Sequence, residues 1–316
     1  MKRILAIVLA ALLLCGMASL TASAADPVDI TDKFTDPAFR AAVLEAVSAD
    51  GEAIYDDEAE AAWALYVDDR GIESLAGLEY FANLQFLDCG HNKLSALPEL
   101  PPCLEECWCN YNQLTALPAL PLSLMKLVCD VNRLTELPSL PDSVTELYCN
   151  DNRLAELPTL PSGLTWLDCS DNKLTQLPSL PDRLVYLNCY SNELTKLPDL
   201  PAGLTHLNCA VNQLASLPIL PAGLEVLWCS YNRLTGLDVA GLPLEELVCD
   251  HNDMGNRSSA VTGFTGTWDD VHYFFYPQNN AIPPPPPPTH FWDNWSPALQ
   301  WILQYILFGW LWMRWL

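Results

Sequence analysis

From residue 65 to residue 253 the apolar positions recur neither every 3.6 residues nor every two, but in a block of twenty. One block reads Leu164-Thr165-Trp166-Leu167-Asp168-Cys169-Ser170-Asp171-Asn172-Lys173-Leu174, followed by Thr175-Gln176-Leu177-Pro178-Ser179-Leu180-Pro181. The alternation Leu167-Asp168-Cys169 predicts a short strand with one buried face. The two prolines of Leu-Pro-x-Leu-Pro remove backbone donors and fix φ, so the return predicted from them is extended or polyproline-like. Asn172 falls where the chain leaves the strand, and its amide can satisfy backbone groups of its own coil and of the adjacent one. Cysteines stand at 89, 109, 129, 149, 169, 189, 209, 229 and 249, each followed three positions later by asparagine, from Asn92 to Asn252. One supersecondary unit has been copied end to end, and each copy buries its apolar face against its neighbours.

The unit Leu-x-x-Leu-x-Cys-x-x-Asn-x-Leu-Thr-x-Leu-Pro-x-Leu-Pro resembles the twenty-residue leucine-rich repeats of the bacterial YopM and IpaH effector family. Cysteine stands where those repeats often carry another small apolar residue. The preceding stretches, residues 34–43 and Asp69-Arg70-Gly71-Ile72-Glu73-Ser74-Leu75-Ala76-Gly77-Leu78, resemble the helical cap and first repeat of internalin-like surface proteins. The fold expected is an α/β-type solenoid. It has a parallel β-sheet on the concave face, extended convex returns, a small helical N-terminal cap and a C-terminal apolar helix.

The regions flanking the repeats differ from them in composition. Lys2-Arg3, an apolar run over residues 4–14 and Ala22-Ser23-Ala24 read as a signal peptide over 1–24. Residues 25–64 are then the helical cap, 65–253 the repeats and 254–280 a C-terminal cap. Residues 281–296 form a linker whose six prolines, 283–288, make a stiff spacer. Ser296 and Pro297 open a predicted helix over 297–316, rich in tryptophan and long enough, at about 1.5 Å per residue, to anchor in a membrane. Charge adds an exclusion. With 39 Asp plus Glu against 15 Lys plus Arg, net −24, the chain repels nucleic acid.

Eleven cysteines remain after position 24, which in an exported protein ordinarily signals disulfides. Parallel stacking argues for reduced, buried thiols instead. Coils about 4.8 Å apart with parallel Cα–Cβ vectors do not match the roughly 3.8 Å Cβ–Cβ geometry of a disulfide. Cys103 departs from that ladder and Cys107 occupies an inward leucine position, and this pair is the one place where a local disulfide could form. A single file of thiols is also a poor zinc site, and no cofactor is expected. The IpaH ligases use a Cys-x-Asp nucleophile in a separate domain after their repeats, so Cys149-Asn150-Asp151 and Cys169-Ser170-Asp171 read as repeat register. His91 and His251 occupy equivalent positions eight coils apart, too distant to share a substrate atom, and no enzyme is expected. Asp130, Asn150, Asp151, Asp168 and Asp171 fall on three adjacent coils, the pattern of a solvated acidic patch or of oxygen ligands for calcium.

The alternation also exposes one set of strand residues on the concave face. Trp108, Tyr111, Tyr148, Trp166, Asp168, Tyr186, Tyr190, Trp228 and Tyr231 are the predicted ligand-binding residues, and a protein or carbohydrate is the predicted partner. The three tryptophans among them are expected to face solvent. An envelope spacer without a dedicated ligand is the alternative.

Overall fold

The computed structural model describes residues 26–278 apart from 49–50, 256–259, 269–271 and 276–277. The signal peptide, the proline linker and the apolar helix predicted over 297–316 lie outside these residues. Among the described residues no helix is long and apolar enough to cross a membrane.

The repeats form a single parallel sheet. Its strands are β1 (Ala64–Tyr66), β2 (Phe86–Asp88), β3 (Glu106–Trp108), β4 (Lys126–Val128), β5 (Glu146–Tyr148), β6 (Trp166–Asp168), β7 (Tyr186–Asn188), β8 (His206–Asn208) and β9 (Val226–Trp228). A small separate pair, β10 (Leu237–Asp238) and β12 (Val261–Thr262), flanks β11 (Glu246–Val248), and β13 (Tyr273–Phe274) closes the main sheet. The order β1 to β9, then β11 and β13, is that of a solenoid in which each strand pairs with its successor. From β2 to β9 no return carries a helix or a strand, as the double Leu-Pro pattern predicts. Instead, from β3 to β9, the amide of the apolar residue entering the strand donates back to a proline carbonyl, as Leu104 does to Pro101 and Leu164 to Pro161, both at 3.1 Å. That turn re-aims the chain into the next strand.

From β2 to β9 the central residue of each strand and the cysteine two positions on are fully buried, as are the residues at the positions of Leu84 and Leu94. These columns make one continuous core. All eleven described cysteines are thiols; Cys107 is buried and Cys103 half-buried. Several ladder thiols donate to the carbonyl of the next strand, Cys149 to Asp168 at 3.4 Å among them. Burial pushes the thiols of Cys129, Cys149, Cys169, Cys189 and Cys229 well above their ordinary range and that of Cys209 to about 12. They therefore carry almost no thiolate.

The asparagines clamp the coils together. Asn152 Nδ2 donates to the carbonyls of Cys149 and Asn150 in its own coil and of Cys129 in the preceding one, while its Oδ1 accepts from Leu134 N at 2.9 Å. The residue before each asparagine, from His91 to His251, sits at φ near +50°. L-residues enter this region at a cost of roughly 1–2 kcal/mol each, and the Asn clamp holds them there.

The two ends are closed differently, the first by helices and the second by imitation of the repeat. At the N-terminus, α1 (Pro37–Val47) and α2 (Asp56–Ala61) form the cap. Asp36 accepts from Ala38 N and Phe39 N with one oxygen, capping α1, and from Glu73 N and Ser74 N with the other, tying the helix to the first coil. Phe34 packs against Phe39 and Phe81, and the same ring lies 2.6 Å from where a side chain on Gly77 would begin. Gly77 is also at φ +107°, so only glycine fits. At the C-terminus β13 pairs with β11, Phe275 takes the cysteine position, and Gln278 replaces the asparagine of a following coil. Its Oε1 accepts from Asn252 N and Met254 N, and its Nε2 donates to Cys249 O and Phe275 O.

Candidate functional site

Each strand presents its first and third residues on the open face of the sheet, opposite the core. Trp108, Tyr148, Trp166, Asp168, Tyr186 and Trp228 all occupy these positions. Tyr111, Tyr190 and Tyr231 lie in the turns that follow. Because the sheet is parallel and in register, side chains at one position stand in a column from coil to coil, and aromatic rings in such a column meet.

Contacts between rings and one cation cross eight adjacent strands without a break. Tyr66 on β1 meets Phe86 at 4.9 Å between centroids, and Phe86 meets Trp108 at 6.0 Å. Lys126 Nζ then lies 5.2 Å from the Trp108 ring and 5.3 Å from the Tyr148 ring, with Glu146 Oε2 at 2.9 Å. Tyr148 meets Trp166 at 6.1 Å, Trp166 stacks on Tyr186 at 3.7 Å with planes 5° apart, and Tyr186 meets His206 at 6.1 Å.

The open face is more occluded than the alternation predicts. Trp108 and Trp166 are half-buried, and among the three tryptophans only Trp228 is exposed, at 39%. Neighbouring coils stand too close for large side chains to avoid one another. The indole N–H of Trp166 is buried and has no hydrogen-bond partner among the described residues. Other donors on this face are held by glutamates: Trp108 Nε1 by Glu106 at 3.2 Å, Tyr148 Oη by Glu146 at 3.3 Å and Trp228 Nε1 by Glu246 at 3.0 Å.

The candidate residues therefore split into groups. Trp108, Tyr148, Trp166 and Tyr186 belong to the spine. Tyr111 and Tyr231 do not join it; they stack on His91 at 4.2 Å and on His251 at 4.1 Å, at the positive-φ positions near the two ends. Tyr190 is half-buried and Trp228 stands with Glu246. Spine members missed among the candidates were Tyr66, Phe86, Lys126 and His206. Phe86, Lys126 and His206 are legible as in-register neighbours twenty residues apart, but Tyr66 is not, because β1 is offset by 22 residues, pairing Ala64 with Phe86.

Asp168 and Asp130 are buried although the alternation turns both outward. Asp168 accepts from Ser170 N, Ser170 Oγ and Asn188 Nδ2. Burial raises its carboxyl above the usual range, and raises that of Asp130 to about 7. Among the described residues no group of three or more His, Cys, Asp or Glu side chains is arranged to hold a metal ion.

No family model and no curated protein matches the chain. Solved structures do. YopM from Yersinia enterocolitica WA-314 is 34% identical over 58% of this chain and 44% of its own, with a TM-score of 0.50. The functional domain of InlJ from Listeria monocytogenes, described as including a cysteine ladder, is 29% identical over 77% of this chain and 63% of its own, with a TM-score of 0.62. The Listeria monocytogenes internalin-like protein lmo2027, 20% identical with a TM-score of 0.52, shares the fold. This chain thus spans under two thirds of the length of the first two. These neighbours are bacterial leucine-rich repeat proteins built as solenoids of about twenty residues per repeat, and this chain has the same solenoid.

Proposed function

We propose that this leucine-rich repeat chain is a bacterial recognition module, exported and held at a membrane, whose open sheet face binds a protein partner. The observation that carries the reading is the spine from Tyr66 to His206, which sets large, rigid side chains across eight strands of a scaffold that does not need them for its core. Such side chains bury area on binding with little loss of entropy. Solenoids use this surface for binding rather than catalysis.

The ring geometry favours protein over carbohydrate. Planes 5° apart at 3.7 Å leave Trp166 and Tyr186 covering one another, so the pair offers ring edges to a ligand, whereas a sugar stacks on an open ring face. Export rests on residues 1–24, and anchoring on the apolar length and tryptophan content of residues 297–316.

A photo-reactive residue placed at His206 on the open face, and separately at Leu122 on a return, tests the binding surface in the full-length protein against host proteins and glycans. Discrete protein adducts from position 206 alone are expected. Equal yields at both positions, or none, would leave the envelope spacer as the better account. Ending the chain at residue 280 should move the protein from the membrane fraction to the soluble one; retention in the membrane would overturn the anchor.

A further inference from the structure

The open face contains one cation site that the protein fills itself. Lys126 is held between Trp108 and Tyr148 at 5.2 and 5.3 Å and paired with Glu146 at 2.9 Å. Two aromatic rings and a carboxylate are the elements that hold an ammonium or guanidinium group away from water. Near the C-terminal end one aromatic ring and one carboxylate stand together without a protein cation. Trp228 is exposed, its Nε1 donates to Glu246 Oε2 at 3.0 Å, and Glu246 forms no ion pair among the described residues. Glu225 and Glu245 immediately precede the two strands, β9 and β11, that carry this pair, and Asp250 follows β11.

We infer that the Trp228–Glu246 pair is a seat for a lysine or arginine side chain of the protein partner, which binds the open face through a basic segment. This rests on the recognition reading above. The indole supplies the π-face and Glu246 the countercharge, as Trp108 and Glu146 do for Lys126. With a net charge of −24 on the chain, the field around the seat favours a cationic segment and speeds its encounter. A flat acidic surface would attract the same charge without discrimination; the aromatic partner distinguishes this place from the rest of the molecule.

Fluorescence anisotropy of a labelled decapeptide alternating lysine and threonine, titrated with the full-length protein, tests the inference. The counterpart with glutamate in place of lysine is the reference. The basic peptide is expected to bind and the acidic one not. Glu246→Gln, which keeps size and shape, and Trp228→Leu should each weaken binding about tenfold. Glu156→Gln, the same loss of charge on an exposed return residue, should change it less than twofold. Equal weakening by Glu246→Gln and Glu156→Gln would reduce the effect to bulk charge and overturn the seat. Absence of basic-peptide binding would also overturn it, and continued adduct formation from position 206 would then show that the recognition reading survives alone. A thermal melt of each variant confirms that the fold is intact; if Trp228→Leu does not fold, Glu246→Gln decides.

Discussion

The two faces of the sheet are made from the same strands and obey different rules. On the core side the coils repeat a strand leucine, replaced once by Cys107, a cysteine and an asparagine; the first two are buried, and the asparagines, buried or half-buried, make the same bonds to the same backbone atoms. On the open side the residues vary from coil to coil: one column runs Phe86, Glu106, Lys126, Glu146, Trp166, Tyr186, His206, Val226 and Glu246, with no residue type repeated between neighbours. Stacking identical coils requires an identical interior, because each coil is the template for the next. The open face is free of that requirement, so its variety reports something other than folding.

The contrast is broken most forcefully from the core side. Asn152→Ala leaves the Leu134 amide without its partner, at about 1–3 kcal/mol, and takes one of two donors from each of the carbonyls of Cys129, Cys149 and Asn150, which keep Asn132, Asn172 and Val131; at about 0.5–1.5 kcal/mol for each lost bond, a total loss of about 3–5 kcal/mol is expected in urea denaturation. A loss under about 1 kcal/mol would mean that the ladder is ornamental and packing alone holds the coils.

Asp130 tests whether the open face compromises stability for its chemistry. Its carboxyl is raised from 3.8 to about 7 by burial, so the folded state retains a proton that the unfolded chain has already released. The ionised form is therefore penalised: the folded protein is unaffected below about pH 4, loses stability as pH rises toward 7, and bears the full penalty above it. Asp130→Asn should be more stable than the parent at pH 8, by up to about 4 kcal/mol, with the advantage vanishing near pH 4. A melting-temperature difference that is flat across this range would show a carboxyl that ionises freely.

Within the open face, Trp166 and Trp228 should separate. Trp166 is half-buried and packed between Tyr148 and Tyr186, so Trp166→Ala should cost about 2 kcal/mol, whereas exposed Trp228→Ala should cost less than about 1 kcal/mol. Trp166→Phe keeps a stackable ring and removes a buried, unpartnered N–H, and it should restore most of that loss. Equal costs for the two alanine variants would mean that the spine carries no packing energy of its own.

The smallest expected effect concerns the turns. Val131 and Val211 are β-branched residues at φ +50° and +55°, where asparagine is far better tolerated. Val131→Asn should gain roughly 1 kcal/mol in the same denaturation measurement. No gain would place the cost of this backbone conformation with the Asn clamp rather than with the residue itself.

The sequence by itself determined the solenoid, the strand positions, the buried thiol ladder and the role of asparagine. Each follows from local periodicity and from the chemistry of a single residue type repeated in register. It also determined which side chains leave the core, since alternation along a three-residue strand allows only one answer. Tertiary structure decided what those side chains do once outside. Whether Trp166 is open or covered depends on Tyr148 and Tyr186, one coil away on either side, and whether Asp130 is ionised depends on burial by neighbouring coils. The closing of the array by Phe275 and Gln278 was likewise beyond the repeat, because neither residue matches the cysteine and asparagine whose places they take. Periodicity fixes where a side chain stands; its exposure, partners and charge state are set by contacts between coils, which only the assembled array brings about.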